Sequence, residues 1–192
     1  MSKKIENLFK EWYEMQCKND NCTESSFIYD GSLSNKNLES HKILFVCRES
    51  HDKSIGIKNE FWVKNVVYGT ISGGKKYYNC MNLIAKYIGE DTYLEECAYM
   101  NINKKGGNSK CDFKTLENYA KKYRSFITKE IEILNPKCIV ILGKLAAYGA
   151  STAEKIFVDY GKENNIDVYM YDRHPCIYSK DIESHIYLVN NM

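Results

Sequence analysis

Four short, almost wholly apolar runs alternate with stretches of helical periodicity, and this alternation constrains the fold more than any other feature of the sequence. The runs lie at residues 42–47, 96–101, 138–142 and 167–171. None has the regular polar alternation of a half-solvated strand, so each is predicted to be a strand buried on both faces. Helical spacing of apolar residues occupies the intervening stretches, at about 5–17, 58–68, 76–88, 116–134, 144–157 and from about 179. The pattern predicts a three-layer α/β/α sandwich with a central parallel sheet of about four strands.

The chain has 192 residues, enough to bury a core without disulfides or metals. We expect a single domain, with an N-terminal helix and loop over 1–40 and the α/β core over 41–192. Its 27 Lys and Arg against 25 Asp and Glu give a formal charge of +2, which excludes a general polycation but allows a local basic groove. No run of about 18 apolar residues and no secretory signal is visible, so a cytoplasmic protein without membrane association is expected.

The eight cysteines are irregularly spaced and include no Cys-x-x-Cys pair. Without a secretory signal they are expected to be reduced thiols. Tetrahedral metal sites and iron–sulfur clusters usually draw on closely spaced cysteine pairs. The sequence therefore predicts no metal site and no cofactor.

Polar side chains follow all four predicted strands. Ligands of open α/β sheets bind beyond the carboxyl ends of the strands, so we expect these side chains to converge on one edge. They comprise residues 48–52 after the first strand, Asn101, Asn103 and Lys104 after the second, Lys144 after the third, and Arg173 and His174 after the fourth. The alternative is that these positions are polar only because loops are solvated.

Four segments, in this order, resemble motifs of the uracil-DNA glycosylase superfamily. Residues 130–147 are similar to its segment of helix, Asn-Pro, strand, Leu-Gly and helix, and residues 98–104 are similar to its strand that ends in Asn-x-x-Lys. His174 and Pro175 stand where the superfamily has its His-Pro-Ser motif, and residues 43–51 stand where it has its first motif. The resemblance covers about residues 42–190 and implies the fold of that superfamily.

Three departures accompany the resemblance. The first motif lacks the glycine and proline that shape the catalytic loop of well-studied members. Cys176 stands in place of the serine after His-Pro. The cysteine positions of the iron–sulfur-bearing members are not reproduced, so the chain resembles a divergent member without that cluster.

The resemblance implies hydrolysis of the N-glycosidic bond of uracil, or of a related base, flipped out of DNA. In this reaction positive charge develops on the sugar and negative charge on the leaving base. The enzyme therefore needs a carboxylate or amide that positions the attacking water and stabilises the sugar. Glu49 is the candidate for this role, with His51 or Asp52 as stand-ins. The alternative is a solvated loop acid or an ion-pair partner of Arg48.

The leaving base needs a hydrogen-bond donor, and the resemblance implies His174 for this role. The alternative is a histidine that only packs beside Pro175. Asn101 is a candidate to recognise the base, because an amide offers both a donor and an acceptor; the alternative is an asparagine that caps a turn. Three aromatic residues are candidates to stack on the base: Phe61, Tyr77 and Tyr78.

Five further residues are candidates to contact nucleic acid: Arg48, Lys104, Lys105, Lys144 and Tyr178. The lysines would bind phosphates, and Tyr178, just after the His-Pro pair, would wedge into the base stack. For any one of them, a solvated charge or simple packing is the alternative. The expected partner is single- or double-stranded DNA, bound by a monomer.

Two functions stay open at the level of sequence. The first is a DNA glycosylase-type hydrolase, favoured by polar residues at all four strand ends. The second is a non-catalytic module on the same fold that binds nucleic acid or a nucleotide, favoured by the unusual first motif.

Overall fold

The computed structural model describes residues 2–20, 27–34, 36, 38–49, 74–105, 110–175 and 181–189. Within these ranges the α-helices are α1 (Lys3–Asp20), α2 (Gly74–Ile88), α3 (Phe113–Lys122), α4 (Arg124–Leu134) and α5 (Ser151–Asn164). The strands are β1 (Gly31–Ser32), β2 (Leu44–Glu49), β3 (Ala98–Asn103), β4 (Cys138–Leu142), β5 (Asp167–Tyr171) and β6 (Ile186–Leu188). No helix in these ranges is both long and apolar enough to span a membrane.

The strands form one sheet in the order β1-β3-β2-β4-β5-β6. The four inner strands are parallel, and Leu44 of β2 pairs with Ala98 of β3 on one side and Ile139 of β4 on the other. β1 and β6 are antiparallel to β3 and β5. The prediction of an α/β fold around a parallel sheet is therefore confirmed. The two edge strands, with two and three residues, are too short to leave a periodic signal in the sequence.

Helices cover both faces of this sheet. Leu44 and Val46 of β2 belong to a buried cluster with residues of α1, α3, α4 and α5. Phe45 and Cys47, the alternate residues of the same strand, belong to a second buried cluster with residues of α2. Because both faces are covered, the inner strands need no polar face, which explains their continuous apolar runs.

Two predicted strands extend further than expected. β2 and β3 each begin and end two residues later than predicted, so that they end at Glu49 and Asn103. The shift adds Arg48 and Glu49 to the end of β2, and Ile102 and Asn103 to the end of β3. The two polar ends therefore lie in paired backbone rather than in loops.

Several predicted helices are also corrected. The single helix over 116–134 is two helices that meet at Tyr123, whose ring is buried against Trp12 of α1. The helix expected from 144 begins only at Ser151, after a short 3-10 turn that ends at Gly149, where φ is +91°. The prediction of a helix from about residue 179 is wrong, because residues 186–188 form β6, which pairs with β5. The helix predicted at 58–68 lies outside the described residues.

Lys104, which follows β3, is completely buried. Its Nζ lies 2.5 Å from Asp30 Oδ1 and 2.8 Å from Glu130 Oε2, and 5.3 Å from the ring centroids of Phe9 and Trp12. The prediction that Lys104 binds a phosphate is therefore wrong. Its ammonium is held inside the protein by two carboxyl groups and has no exposed surface for DNA.

Two carboxyl groups, those of Asp30 and Glu130, contact the one ammonium. The net charge of the cluster therefore depends on whether Glu130 is protonated. Burial raises the pKa of Glu130 well above its usual value of 4.5, the negative charge of Asp30 raises it further, and Lys104 opposes the rise. Oε1 of Glu130 accepts a hydrogen bond from Lys104 at 3.0 Å. We infer that Glu130 is the protonated member of this cluster.

We expect Lys104→Met to lower the free energy of unfolding by about 3–5 kcal/mol, because it leaves the buried charge of Asp30 uncompensated. Lys105→Met is the matched control, since Lys105 is exposed and its substitution should change stability by less than about 0.5 kcal/mol. Urea unfolding followed by circular dichroism measures both. Equal effects of the two variants would contradict the buried cluster.

The raised pKa of Glu130 predicts a specific dependence of stability on pH. From about pH 4.5 up to the pKa of the folded state, the folded chain binds more protons at this group than the unfolded chain does. The free energy contributed by Glu130 must therefore decrease as pH rises through that range. Glu130→Gln should remove this decrease, whereas Glu132→Gln, exposed on the same helix, should retain it. Parallel pH profiles for wild type and Glu130→Gln would refute the assignment.

Candidate functional site

The carboxyl ends of β2 and β3 lie side by side and carry the candidate site. The two strands pair in parallel, with Cys47 opposite Asn101 and Glu49 opposite Asn103. Strand alternation places these four residues on the face of the sheet that α2 covers. Two predicted site residues, Glu49 and Asn101, therefore lie on the same face of two neighbouring strands, two positions apart in register.

Glu49 is the last residue of β2 and is only 7% exposed. Its Oε2 accepts a hydrogen bond of 3.0 Å from Asn103 Nδ2, and Asn103 Oδ1 accepts one of 2.9 Å from the backbone N–H of Lys105. The alternative of a solvated loop acid is therefore wrong. A buried carboxylate, oriented by an amide that is itself oriented, occupies the strand end.

Cys111, just before α3, also contacts this carboxylate. Burial raises the pKa of the Cys111 thiol to about 12, with the negative charge of Glu49 and their hydrogen bond as further causes. The thiol therefore stays protonated and donates to Glu49.

Asn101 is fully buried inside β3 and does not cap a turn. Its backbone N–H donates to Asp30 Oδ2 at 2.6 Å, and its Oδ1 accepts from the Tyr99 hydroxyl at 3.4 Å. Its Nδ2 has no hydrogen-bond acceptor among the described residues. Leaving such a buried donor unpaired costs about 1–3 kcal/mol, which makes this amide a candidate to bind an acceptor.

His174 follows β5 and meets Tyr77 of α2. The Tyr77 hydroxyl and His174 Nε2 are 3.2 Å apart, at hydrogen-bond distance, and their rings are perpendicular with centroids 5.6 Å apart. Tyr77 and Cys47 in turn lie close enough to Tyr99 to raise its pKa well above 10, although burial is the main cause. Tyr77 thus stands between His174 and the residues of β2 and β3.

The other predicted site residues are more dispersed. Lys105 is exposed, and Lys144 pairs with Asp172 at 3.4 Å. The Arg48 guanidinium lies over the Phe113 ring, 5.4 Å from its centroid. Tyr78 is 38% exposed on α2. Four predicted residues lie outside the described ranges: His51, Asp52, Phe61 and Tyr178.

A cleft of about 410 Å³ opens beside the strand end. Its lining comprises Asp20, Asn103, Lys105, Thr115, Asn118, Tyr119, Lys122 and Tyr123. Asp20 contacts both Lys122 and Tyr123, so one of the two lysines is already paired. Within the described ranges, no group of three or more His, Cys, Asp or Glu side chains could hold a metal ion.

Sequence reasoning did not identify the positioning groups of this site. It places Asn103 at this edge without a role, although a parallel register between the two predicted strands would put it opposite Glu49. Tyr99 shows the same signal, since it alternates with Asn101 and Asn103 along one strand. Cys111 carries no such signal, because its approach to Glu49 depends on the path of the chain between β3 and α3.

Comparison of the chain with models of known protein families, with curated proteins and with solved structures gives no match.

The contact between Cys111 and Glu49 predicts unusual thiol reactivity. At pH 8.5, alkylation of Cys111 by iodoacetamide should be more than about tenfold slower than that of a thiol with a pKa near 9, because thiolate is the nucleophile. Glu49→Gln should accelerate it, since the carboxylate charge is lost. Site-resolved mass spectrometry measures the rates, with the partly exposed Cys17 as internal control. An unchanged Cys111 rate in Glu49→Gln would contradict the contact.

Proposed function

We propose that the chain is a DNA glycosylase-type hydrolase that cleaves the N-glycosidic bond of uracil, or of a related base, flipped out of DNA. The observation that carries the proposal is a buried, oriented carboxylate, Glu49 of β2, next to a strand whose buried amide, Asn101 of β3, has a donor without an acceptor among the described residues. Both face the same side of a parallel sheet, at the edge where such sheets bind ligands. The resemblance of four ordered motifs to the uracil-DNA glycosylase superfamily supports the same reaction and the same fold.

Glu49 would position the attacking water and stabilise the positive charge on the sugar. Asn103 is a positioning residue, because its Nδ2 holds the carboxylate at 3.0 Å. A group held in advance stabilises transition-state charge without reorganising during the reaction.

Asn101 would recognise the base. Its buried Nδ2–H lacks an acceptor among the described residues, and a carbonyl oxygen of the base would supply one. A site built around a polar group rejects ligands that cannot pair with it, because the group then stays buried and unsatisfied. This favours a base with a carbonyl over one with an amino group at that position.

His174 would donate a hydrogen bond to the departing base, on which negative charge develops. The contact with Tyr77 restrains the orientation of the imidazole ring. Lys105, exposed beside the strand end, is proposed to bind a phosphate of the DNA backbone.

One observation favours the second candidate, a binding module without hydrolysis. The Glu49 carboxyl group already accepts hydrogen bonds from Asn103 and from the Cys111 thiol, which leaves fewer lone pairs for a water. In that case the same site would bind a base or nucleotide and release nothing.

Glu49→Gln and His174→Ala separate these two functions. For a hydrolase, each substitution should slow base release on the order of 10²–10³-fold and leave DNA affinity largely intact, because each group acts on charge that appears only in the transition state. The assay is alkaline cleavage of abasic sites in uracil-containing and other lesion-containing oligonucleotides. Glu132→Gln, exposed on α4, is the control and should keep wild-type activity.

The outcomes are distinct. A wild type that releases no base, while His174→Ala weakens ligand binding, would replace the hydrolase by the binding module. Base release that survives both substitutions would refute the assignment of Glu49 and His174.

A further inference from the structure

Tyr148 is the most exposed large hydrophobic side chain in the described part of the chain, at 64%. Its ring is nevertheless held in place. It stacks on the Phe113 ring with centroids 4.9 Å apart and an interplanar angle of 26°. One face of Tyr148 is thus supported by protein, and the high exposure leaves the opposite face in solvent.

Two further features hold this aromatic pair. Phe113 is the first residue of α3, and the Arg48 guanidinium lies over its ring at 5.4 Å. Tyr148 ends the short 3-10 turn after β4, where its backbone N–H donates to Leu145 at 3.1 Å, and Gly149 follows with a φ of +91°. We call Arg48, Phe113 and Tyr148 the cation–aromatic stack. It joins β2, α3 and the segment after β4.

The position of the cation–aromatic stack links it to the candidate site. Arg48 directly precedes Glu49 in β2, so the two side chains point to opposite faces of the same strand end. The stack therefore lies at the same carboxyl edge of the sheet as Glu49, on the side covered by α3. The Arg48 guanidinium, at 5.4 Å from the centroid of the Phe113 ring, places a positive charge within the stack.

We propose that the solvent face of Tyr148 binds a nucleobase of the DNA strand that carries the flipped nucleotide, at a position flanking it. This inference rests on the proposed function. Aromatic side chains bind bases of single-stranded nucleic acid by stacking, with little sequence preference because every base has a π-face. The neighbouring guanidinium adds attraction for the phosphate backbone. An exposed ring that stacks on Phe113, with a guanidinium over the same Phe113 ring, fits a stacked, anionic strand.

The chain offers a matched control in Tyr93, which is 61% exposed. It lies before β3, at the amino end of that strand and so at the opposite end of the sheet. No stacked ring supports it among the described residues. Loss of the Tyr93 ring should therefore leave DNA binding unchanged.

The test measures binding of a short fluorescein-labelled single-stranded DNA of mixed sequence by fluorescence anisotropy. Tyr148→Ala should weaken the affinity about tenfold, whereas Tyr148→Phe, which keeps the ring, should stay within about twofold of wild type. The slope of log Kd against log salt concentration should not change in Tyr148→Ala, because no charge is removed. Tyr93→Ala should match wild type in both readouts.

Abasic positions in the oligonucleotide identify the base that stacks. Moving one abasic residue along the strand should reveal a position where wild type loses about as much affinity as Tyr148→Ala does on the intact strand. The two losses should not add when combined, because they remove the same contact. Additive losses at every position, an unchanged affinity of Tyr148→Ala, or no binding by wild type would each overturn the proposal.

Base release, measured on the same variants, separates this inference from the proposed function. A wild type that binds through Tyr148 but releases no base would refute hydrolysis and retain the stacking site. A wild type that releases base with an affinity insensitive to Tyr148→Ala would retain hydrolysis and refute the stacking site.

Discussion

The buried ammonium of Lys104 is the interaction on which the rest of the structure depends. It joins the end of β3 to Asp30, which precedes β1, and to Glu130 in the middle of α4, while two aromatic rings of α1 surround it. A buried charge without partners strongly destabilises a fold. Asp30 and Glu130 must therefore lie in contact with the buried ammonium. This requirement fixes how α1, α4 and the segment before β1 pack against the sheet.

The same cluster also holds Asn101 of the candidate site in place. Asp30 binds Lys104 through Oδ1 and the backbone N–H of Asn101 through Oδ2, at 2.5 and 2.6 Å. One carboxylate thus holds both a core charge and the strand residue proposed to recognise a base. Because Asn101 belongs to the rigid centre of the sheet, its side chain is positioned more precisely than a loop residue would be.

The end of β2 divides the proposed functions between the two faces of the sheet. Glu49 lies with Asn103 and Cys111, where the proposed chemistry occurs. Arg48 lies over the Phe113 ring, on which the exposed ring of Tyr148 also stacks. Strand alternation alone separates adjacent residues in this way, so a single strand end can serve both the reacting nucleotide and the strand that carries it.

The sequence by itself determined the α/β class and, to within two residues at the ends of β2 and β3, the positions of the four inner strands, and it predicted a site at their carboxyl ends, because apolar runs and strand-end polarity are local signals. Only the tertiary structure decided what each polar residue does. Lys104 and Lys105 are adjacent and look alike in sequence, yet one is fully buried between carboxyl groups and the other is exposed. Tyr148, which no motif marks, gains its support from Phe113, 35 positions earlier in the chain. Whether a side chain is buried, and which groups it contacts, depends on residues that are distant in the chain. A local pattern of residue types carries no information about those contacts.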